Sequence, residues 1–395
     1  MKLVHLSDLH LGKRVNEFSM LEDQQYILRQ ILEIIDRERP EAVLIAGDVF
    51  DKSVPSAEAV TLCDDFLVQL SGRKDRWGMQ TYVISGNHDS AERLSFGGRL
   101  MGASGIHICP VYNGRLRREI LRDEYGEVEI DMLPFVRPAH VRAWYPDADI
   151  ASYTDAIRVA LAEGNTDNET SVAAENPALR RVLITHQFVT GAARTDSEEV
   201  SVGGTDNVDA DVFAGYDYVA LGHLHGPQTV SSGGPVIRYC GSPLKYSFSE
   251  ANQEKSVTVA ELRGKGDVEV KTVALVPLRE MRELRGAYEE LTAREFYEGT
   301  TYRTDYVHIT LTDEEDIPEA VAKLRVVYAN MMRMDYDNTR TRHTAAAVEG
   351  AEAVEVKSPA EVFAELYEKL NGQGLSAEQA EYLKQQIESV WEEEA

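Results

Sequence analysis

Residues 81–90 read TYVISGNHDS, in which an apolar run gives way to a glycine turn carrying an amide, an imidazole and a carboxylate in succession. The run 81–84 has the composition of a buried strand. Taken alone, the rest is better explained by turn chemistry, because Gly86 and Asn87 are ordinary turn residues and Asp89 could cap a helix. The meaning of the stretch therefore depends on whether other strands end in the same way.

Four further apolar runs end in side chains that can bind a metal ion. They are residues 3–6 followed by Asp8 and His10, 42–46 followed by Asp48, 181–184 followed by His186, and 218–221 followed by His223 and His225. Near-continuous apolar runs are typical of strands covered on both faces, and ligands of layered α/β sheets lie beyond the carboxyl ends of the strands. The sequence therefore predicts an α/β fold in which five strand ends meet around one site.

Each member of this set also has a simpler explanation. Asp8 and Asp48 could be helix caps, and His186 could be a hydrogen-bonded core histidine. The His-x-His spacing at 223–225 is harder to explain in that way, because it places both imidazoles on one side of an extended segment. Five other histidines are interpreted as ordinary hydrogen-bonded side chains, namely His5, His107, His140, His308 and His343.

Seven ligands are too many for one divalent cation and suit two. Asp48 is the expected bridge, because its carboxylate has two oxygens and follows the central strand. The predicted ligands of one cation are Asp8, His10, His225 and Asp48, and those of the other are Asn87, His186, His223 and Asp48. Nitrogen and oxygen ligands without thiolate favour manganese, iron or zinc, and the residues do not choose among the three.

Two cations about 3.5–4 Å apart can hold a bridging hydroxide and stabilise its in-line attack on phosphorus. With neutral imidazoles the site would carry a charge of about +2, which attracts a phosphodiester. His88 is predicted to protonate the leaving oxygen or to stabilise the pentacovalent charge. Asp89 is predicted to orient an imidazole from behind the ligands. The turn at 86–89 would then bring a ligand, a proton donor and its orienting carboxylate to one phosphate.

The whole-chain composition limits the choice of partners and location. The formal net charge of −26 argues against a wide basic surface for nucleic acid, although residues 346–395 alone hold twelve glutamates and three lysines. Attraction for an anionic substrate must therefore be local or come from a partner. No apolar run approaches the roughly 18 residues of a membrane span, and the first residues do not resemble a secretory signal. Cys63, Cys109 and Cys240 show no metal or disulfide spacing, which favours a reducing cytoplasm.

The chain resembles the calcineurin-like metallophosphoesterases in five motifs, which are Asp8-x-His10, Gly47-Asp48, Gly86-Asn87-His88-Asp89, His186 and Gly222-His223-x-His225. It is similar in particular to the SbcD family of nuclease subunits at HQFVTGA (186–192), YVALGHLHGPQ (218–228) and YCGSPLKYSFSE (239–250). The resemblance covers most of residues 1–280 and, more loosely, the remainder. It implies a layered fold in which a β-sandwich is flanked by helices.

The same resemblance implies a manganese-dependent enzyme of DNA repair and recombination. Such an enzyme is an exonuclease on double-stranded DNA ends and an endonuclease on single strands and hairpins. The resemblance also implies a homodimer that works with an SbcC-like coiled-coil ATPase. Dimerisation is expected through helices that flank the catalytic face, with Phe18 and Met20 as candidate contacts.

A chain of 395 residues exceeds the size at which a single core usually stops growing, so several domains are expected. We predict a nuclease domain at 1–276, a small α+β capping domain at 277–340, a linker at 341–357 and a helical segment at 358–395. Within the first domain, residues 163–177 are interpreted as a polar loop insertion, and 256–262 with 268–275 as a hairpin. Within the second, strands are predicted at 306–311 and 331–336, with a helix between them.

The helical segment carries two predicted amphipathic helices. The first begins with a capping box at Ser358-Pro359-Ala360-Glu361 and presents an apolar stripe of Val362, Phe363, Leu366, Tyr367 and Leu370. The second begins at Ser376 and presents Leu383, Ile387, Val390 and Trp391. Two short helices cannot bury both stripes against each other, so an external groove is expected, and the resemblance points to the base of the ATPase coiled coil. Packing back onto the capping domain is the alternative.

Two other functions stay open at this point. The metal motifs alone do not name a substrate, so a phosphoesterase acting on a cyclic nucleotide or a phosphoprotein is possible. The chain could also be a scaffold that bridges DNA ends with an idle site. The extra domain and the helical segment favour a large polymer and a protein partner.

Overall fold

The structure is a computed structural model that describes residues 1–163, 176–195, 206–230, 234–342, 359–371, 373–376, 378–380, 382–383 and 386–387. The predicted loop at 163–177 and linker at 341–357 lie almost entirely outside the described residues, as do His343, Val390 and Trp391. The described residues form two compact units, of which the first ends at Leu278 and the second begins at Arg279. Within the described ranges no helix combines the length and the apolar character needed to cross a lipid bilayer.

The strands are short and are numbered in chain order. They are β1 Lys2–Leu6, β2 Arg14–Val15, β3 Phe18–Ser19, β4 Ala42–Ala46, β5 Gln80–Ile84, β6 Ile106–Cys109, β7 Arg117–Asp123, β8 Gly126–Leu133, β9 Arg180–His186, β10 Phe188–Val189, β11 Asn207–Val208, β12 Tyr218–Gly222, β13 Gln228–Val230, β14 Val236–Tyr239, β15 Ser256–Leu262, β16 Val268–Ala274, β17 Met281–Gly286, β18 Tyr306–Leu311 and β19 Met331–Tyr336.

The helices are likewise numbered in chain order. They are α1 Leu21–Glu38, α2 Ala57–Trp77, α3 Ala91–Leu94, α4 Gly98–Met101, α5 Pro138–Arg142, α6 Tyr153–Glu163, α7 Tyr288–Thr292, α8 Arg294–Tyr297, α9 Ala320–Val327 and α10 Pro359–Asn371. Helix α1 buries Ile27, Ile31 and Ile35 and ends at the left-handed Arg39, directly before Pro40. The spacing of these isoleucines in the sequence predicts an amphipathic helix that stops before Pro40, and the structure confirms it.

Two six-stranded sheets form the first unit. One has the order β16-β15-β1-β4-β5-β6 and the other the order β13-β14-β12-β9-β8-β7. In each sheet four neighbouring strands are mutually parallel, and each of the other two strands is joined to its neighbour by an antiparallel pairing. One apolar core joins residues of both sheets, among them Leu44 and Ile84 from the first and Ile130 and Ile184 from the second. The predicted layered α/β fold with a β-sandwich is therefore confirmed.

Helices cover the outer faces of both sheets. Helix α2 packs on β5 and β6 of the first sheet. On the second sheet, Ala156, Ile157 and Ala160 of α6 share a core with Leu183 and Val219. Strands with helices on one face and a second sheet on the other are buried on both sides, which explains their near-continuous apolar sequences.

The carboxyl ends of the central strands of both sheets come together at one place. The segment after β1 is tied to the segment after β4, because the amides of Asp8 and His10 donate to the carbonyls of Gly47 (3.1 Å) and Asp48 (3.0 Å). In the second sheet, Gly222 at the end of β12 pairs with His186 at the end of β9. A Cβ atom at Gly222 would lie 2.6 Å from the Nδ1 atom of His186, so only glycine permits this close approach.

A three-stranded parallel sheet, β17-β18-β19, forms the core of the second unit. Leu324 of α9 packs against Val307 and Ile309 of the central strand. The predicted strands at 306–311 and 331–336 and the helix between them are present. Residues 316–318 are predicted to open that helix, but it begins at Ala320. Strand β17 was not predicted, because charged residues interrupt its sequence MRELRG.

One of the two candidate dimer contacts is corrected by the structure. Met20 precedes α1, and only 2% of its surface is exposed, so it cannot contribute to a contact surface. Phe18 in β3 is half-buried.

Candidate metal centre

Four of the seven predicted ligands have a left-handed backbone. Their φ angles are 52° for Asp8, 43° for His10, 50° for Asp48 and 102° for His223. Such a conformation costs a non-glycine residue on the order of 1–3 kcal/mol and persists only where the surrounding structure enforces it. The concentration of strained residues at these strand ends is typical of a functional site.

Asp8, His10 and His225 form one group of possible ligands. An oxygen of Asp8 and a ring nitrogen of each histidine all lie within 4.8 Å of one another, and all three side chains are buried. The Nε2 atoms of His10 and His225 are 3.1 Å apart. The structure thus brings together the three residues predicted to share one cation.

Asn87, His186 and His223 form the second group. The Oδ1 atom of Asn87 lies 3.0 Å from Nε2 of His186 and 3.1 Å from Nδ1 of His223. The carboxylate of Asp48 lies between the two groups, with its Oδ2 atom 3.6 Å from Nε2 of His10 and 3.3 Å from Nε2 of His186. This is the position predicted for a bridging ligand.

The atoms that face one another around His186 are all hydrogen-bond acceptors. The Nδ1 atom of His186 is 2.8 Å from the carbonyl of Ala46, so this nitrogen carries the ring proton of the neutral imidazole. Its Nε2 lone pair then faces the oxygens of Asn87 and Asp48. Lone pairs that face each other repel unless a positive charge lies between them. The donor set therefore fits divalent cations.

The pKa shifts of the buried ligands also indicate a site for positive charge. Burial lowers the pKa of His186, but the carboxylates of Asp48 and Asp8 outweigh burial and raise it to about 9. Burial raises the pKa of Asp8 to about 6 and lowers that of His223 to about 3. Although burial acts in the other direction, His186 and His88 hold the pKa of Asp48 well below its usual value. When no cation is bound, His186 therefore carries a second proton, on Nε2. That proton supplies the positive charge that the oxygens of Asn87 and Asp48 face.

His88 lies at the edge of this centre. Its Nδ1 atom is 3.1 Å from the carbonyl of Asp51, and its Nε2 atom is 4.0 Å from Oδ2 of Asp48. The ring packs edge-on against that of His10, with the ring centroids 4.8 Å apart. Because Nδ1 donates to the carbonyl, Nε2 is the nitrogen that faces the centre.

The contacts of Asp89 correct the role predicted for it. Its carboxylate accepts hydrogen bonds from the backbone amides of Gly86 (2.9 Å), Val49 (3.1 Å) and Phe50 (2.8 Å). Among the described residues it bonds to no imidazole, because these amides surround it. Asp89 instead ties the segment after β4 to the segment after β5, which carry Asp48 and Asn87. Burial and the nearby Asp48 raise its pKa to about 6.

Three residues that contact the predicted ligands from behind, Glu250, Asp51 and Tyr246, are not predicted from the sequence. Glu250 lies 3.3 Å from Nδ1 of His225, and Asp51 lies 3.6 Å from Nδ1 of His10. Tyr246 packs edge-on against His10 and His225, and its hydroxyl donates to the carbonyl of Leu9. Asp51 is three positions after Asp48, and this proximity in sequence is a signal that could have identified it. Glu250 is 25 residues from His225 and follows no recognisable spacing.

The histidines interpreted as ordinary side chains make hydrogen bonds away from the ligands. His5 Nδ1 is 2.9 Å from the hydroxyl of Tyr218, His107 Nε2 is 3.0 Å from Gln80, and His308 Nε2 is 2.8 Å from Asp335. His140 accepts from the amide of Arg137.

Two protein-family models match different parts of the chain. Residues 1–227 match the family model described as calcineurin-like phosphoesterase. Residues 277–371 match the SbcD_C model, described as type 5 capsule protein repressor C-terminal domain.

Two curated relatives match the chain over essentially its whole length. The SbcD subunit of the nuclease SbcCD from Staphylococcus epidermidis is 31% identical over 100% of both chains. The corresponding protein of Staphylococcus saprophyticus is 28% identical over 100% of this chain and 99% of the relative.

Solved structures resemble the chain more distantly. A dimetal phosphatase from Danio rerio is 12% identical, with a TM-score of 0.37, and covers 70% of this chain and 99% of its own. The Thermus thermophilus protein TT1561 is 10% identical, with a TM-score of 0.36, and covers 69% of this chain and 98% of its own.

Proposed function

Because the chain belongs to the calcineurin-like phosphoesterase family, and within it to the group of SbcD nuclease subunits, we propose that it is a metal-dependent DNA nuclease subunit. The resemblance inferred from the five sequence motifs is confirmed, and with it the expectation of an enzyme that hydrolyses phosphoesters. The proposed substrates are the phosphodiester bonds of double-stranded DNA ends and hairpins. The proposed roles are repair and recombination.

The observation that carries this proposal is the set of acceptor atoms facing one another around Asp48. One cation would be held by Asp8, His10, His225 and Asp48, and the other by Asn87, His186, His223 and Asp48. When bound, such cations would activate water as a nucleophile and neutralise the charge of the phosphodiester. Manganese is the proposed ion, because the resemblance to the SbcD nucleases implies it; the nitrogen and oxygen donors suit iron and zinc as well. Metal analysis of the purified chain tests that choice.

The proposed role of His88 is to protonate the leaving oxygen. The carbonyl of Asp51 holds Nδ1, so Nε2 is presented toward the ligands and toward a phosphate bound there. Asp89 is proposed as a positioning residue, because it binds the backbone amides directly after Asp48 and directly before Asn87. The chain's own contribution is therefore to hold the acceptors together and to supply a proton.

We propose that residues 1–276 form the nuclease domain, 277–340 the capping domain, 341–357 a linker and 358–395 the site for an SbcC-like coiled-coil ATPase. The apolar stripe of α10 supports the last assignment, because Val362, Phe363, Leu366 and Leu370 are all exposed. The names of the relatives, which refer to one subunit within a nuclease complex, support a protein partner as well.

The proposed assembly is a homodimer in the cytoplasm. With Met20 buried, Phe96 and Leu100 are better contact candidates in the first unit, because 86% and 82% of their surfaces are exposed. Analytical ultracentrifugation that shows only monomer would contradict the dimer. The three cysteines are buried and form no disulfide, which is compatible with a reducing compartment.

One assay separates the nuclease from its alternatives. The purified chain is incubated with Mn²⁺ and end-labelled duplex or hairpin DNA, with and without the ATPase, beside a generic aryl phosphodiester. We expect cleavage of DNA. Cleavage of the small ester alone would favour a phosphoesterase for small substrates, and binding of DNA ends without cutting would favour a scaffold.

A further inference from the structure

Glu250 lies behind His225, on the side of the imidazole opposite the proposed cations. Its Oε1 atom is 3.3 Å from Nδ1 of His225, while Nε2 of the same ring faces His10 at 3.1 Å. Glu250 ends the short 3₁₀ helix Phe248–Glu250 and is fully buried. A carboxylate in this position requires the ring proton on Nδ1 and leaves the Nε2 lone pair directed at the centre.

A buried lysine completes this arrangement. The Nζ atom of Lys255 is 2.5 Å from Oε2 of Glu250 and 2.8 Å from the carbonyl of His225. Only 4% of the Lys255 side chain is exposed. The lysine therefore compensates the buried carboxylate charge and holds the backbone of His225 at the same time. The carboxylate and the histidine that it contacts are fixed to each other by one side chain.

The other three imidazoles have weaker support among the described residues. His186 donates to a backbone carbonyl, that of Ala46. The Nδ1 atom of His10 is 3.6 Å from Asp51, which is too long for a hydrogen bond. The buried Nε2 atom of His223 meets no hydrogen-bond partner in the described part of the chain. Only His225, in those ranges, has a carboxylate at hydrogen-bond distance behind it. The two groups of ligands are therefore unequal.

We propose that Glu250 is a positioning residue for His225 and makes the cation site of Asp8, His10 and His225 the tighter of the two. The inference rests on the proposed two-cation function. A carboxylate behind a ligating imidazole fixes the tautomer and raises the basicity of the ligand, and its loss typically weakens metal binding 10–100-fold. The effect belongs to one cation, because the imidazole that Glu250 supports is a ligand of one site.

The test measures Mn²⁺ binding to the full chain at equilibrium, by the electron paramagnetic resonance signal of the free hydrated ion. The parent chain should bind two ions with different affinities. In Glu250→Gln, which keeps the size of the side chain and removes its charge, the tighter site should weaken by about 10–100-fold. The weaker site should keep its affinity.

Glu129→Gln is the matched control. Glu129 is as buried as Glu250, and its ion-pair partners are Arg118 and Arg181 on the second sheet. This variant should bind both ions as the parent does. If both variants weaken Mn²⁺ binding equally, loss of a buried charge is the cause and the inference falls.

Two further results would overturn the inference. Parent-like Mn²⁺ affinities in Glu250→Gln would show that Glu250 does not support metal binding. Loss of both ions would show that Glu250 is needed for both sites and not for one. If circular dichroism shows that Glu250→Gln is unfolded, Glu250→Asp is judged by the same criteria, since it keeps the charge but is one methylene shorter. A parent chain that binds two ions without cutting DNA would defeat the nuclease proposal and leave this inference standing.

Discussion

The Nε2 atoms of His10 and His225 lie 3.1 Å apart, although 215 positions separate the two residues in the chain. His225 directs its Nδ1 proton toward Glu250, so its lone pair points at His10. A neutral His10 ring can donate from Nε2 to that lone pair, or a cation bound between the rings can accept both lone pairs.

Removal of divalent cations is therefore expected to destabilise the protein. A ligand that binds only the folded state stabilises it by about 2.7 kcal/mol when present at 100 times its dissociation constant. Calorimetry in a chelator and in Mn²⁺ measures this difference as a shift in the Tm of the first unit. His107→Ala, which lies outside the centre, should respond to Mn²⁺ as the parent does. An unchanged Tm would show that no cation binds.

His88→Gln should keep both cations and lose most turnover. The side chain is not among the seven proposed ligands, and a general acid typically contributes 10²–10⁴-fold to the rate. Metal content and the cleavage rate of end-labelled DNA are measured on the same preparation. His107→Gln is the control and should cut DNA at the parent rate. Full activity of His88→Gln would exclude His88 from the mechanism.

Gly86→Ala should abolish metal binding. A Cβ atom at this position would press on Oδ1 of Asp48 and lie 2.5 Å from its backbone nitrogen, and neither atom can move without displacing the bridging carboxylate. Gly72→Ala is the matched control, since a Cβ there meets nothing within 4 Å and Gly72 lies within helix α2. The control should gain up to about 1 kcal/mol of stability. Equilibrium dialysis against Mn²⁺ distinguishes the variants, and two bound ions in Gly86→Ala would contradict the geometry.

His5→Asn should flatten the acid dependence of stability. Burial, helped by Arg238, lowers the pKa of His5 from its ordinary 6.5 to about 3. The unfolded chain binds a proton that the folded chain excludes, so this stability is complete above pH 6.5 and is lost as the pH falls toward 3. The slope is about 1.4 kcal/mol per pH unit for one proton.

Asparagine keeps a polar group near the hydroxyl of Tyr218, which lies 2.9 Å from Nδ1 of His5. Denaturant unfolding at several pH values in a chelator compares the variant with the parent. Equal slopes would mean that His5 is protonated in the folded state.

A chain that ends at residue 355 should lose affinity for the coiled-coil ATPase and keep its Mn²⁺ sites. The truncation removes α10, whose Phe363 and Leu366 are exposed, and leaves both compact cores in place. Pull-down against the ATPase measures the loss. Phe363→Ser with Leu366→Ser in the full chain is the finer test. Full affinity in either protein would place the contact elsewhere.

The sequence was most informative where a local pattern sufficed. Apolar runs followed by Asp48, Asn87 and His186 identified the ends of buried strands, because a strand buried on both faces contains almost only apolar residues. The hairpin of β15 and β16 followed from its turn, and its pairing is observed from Ser256 with Ala274 to Leu262 with Val268.

The features that the sequence did not reveal depend on contacts between distant segments. Glu250 and Lys255 act on His225 through a fold that no spacing encodes. The order of residues in the turn predicts an imidazole as the partner of Asp89, whereas the carboxylate accepts from the backbone amides of Val49 and Phe50. Left-handed backbone at Asp8 and Asp48 is likewise imposed by neighbouring chain, since neither residue requires it.

Strand β1 lies between β4 and β15, so Leu3 pairs with both Ala42 and Ala260. A ribosome must therefore make more than 260 residues before the first strand gains its second neighbour. His225 and Glu250 also leave the ribosome late. The proposed set of ligands is therefore incomplete until His225 has been synthesised, and β1 lacks its second neighbour for longer still.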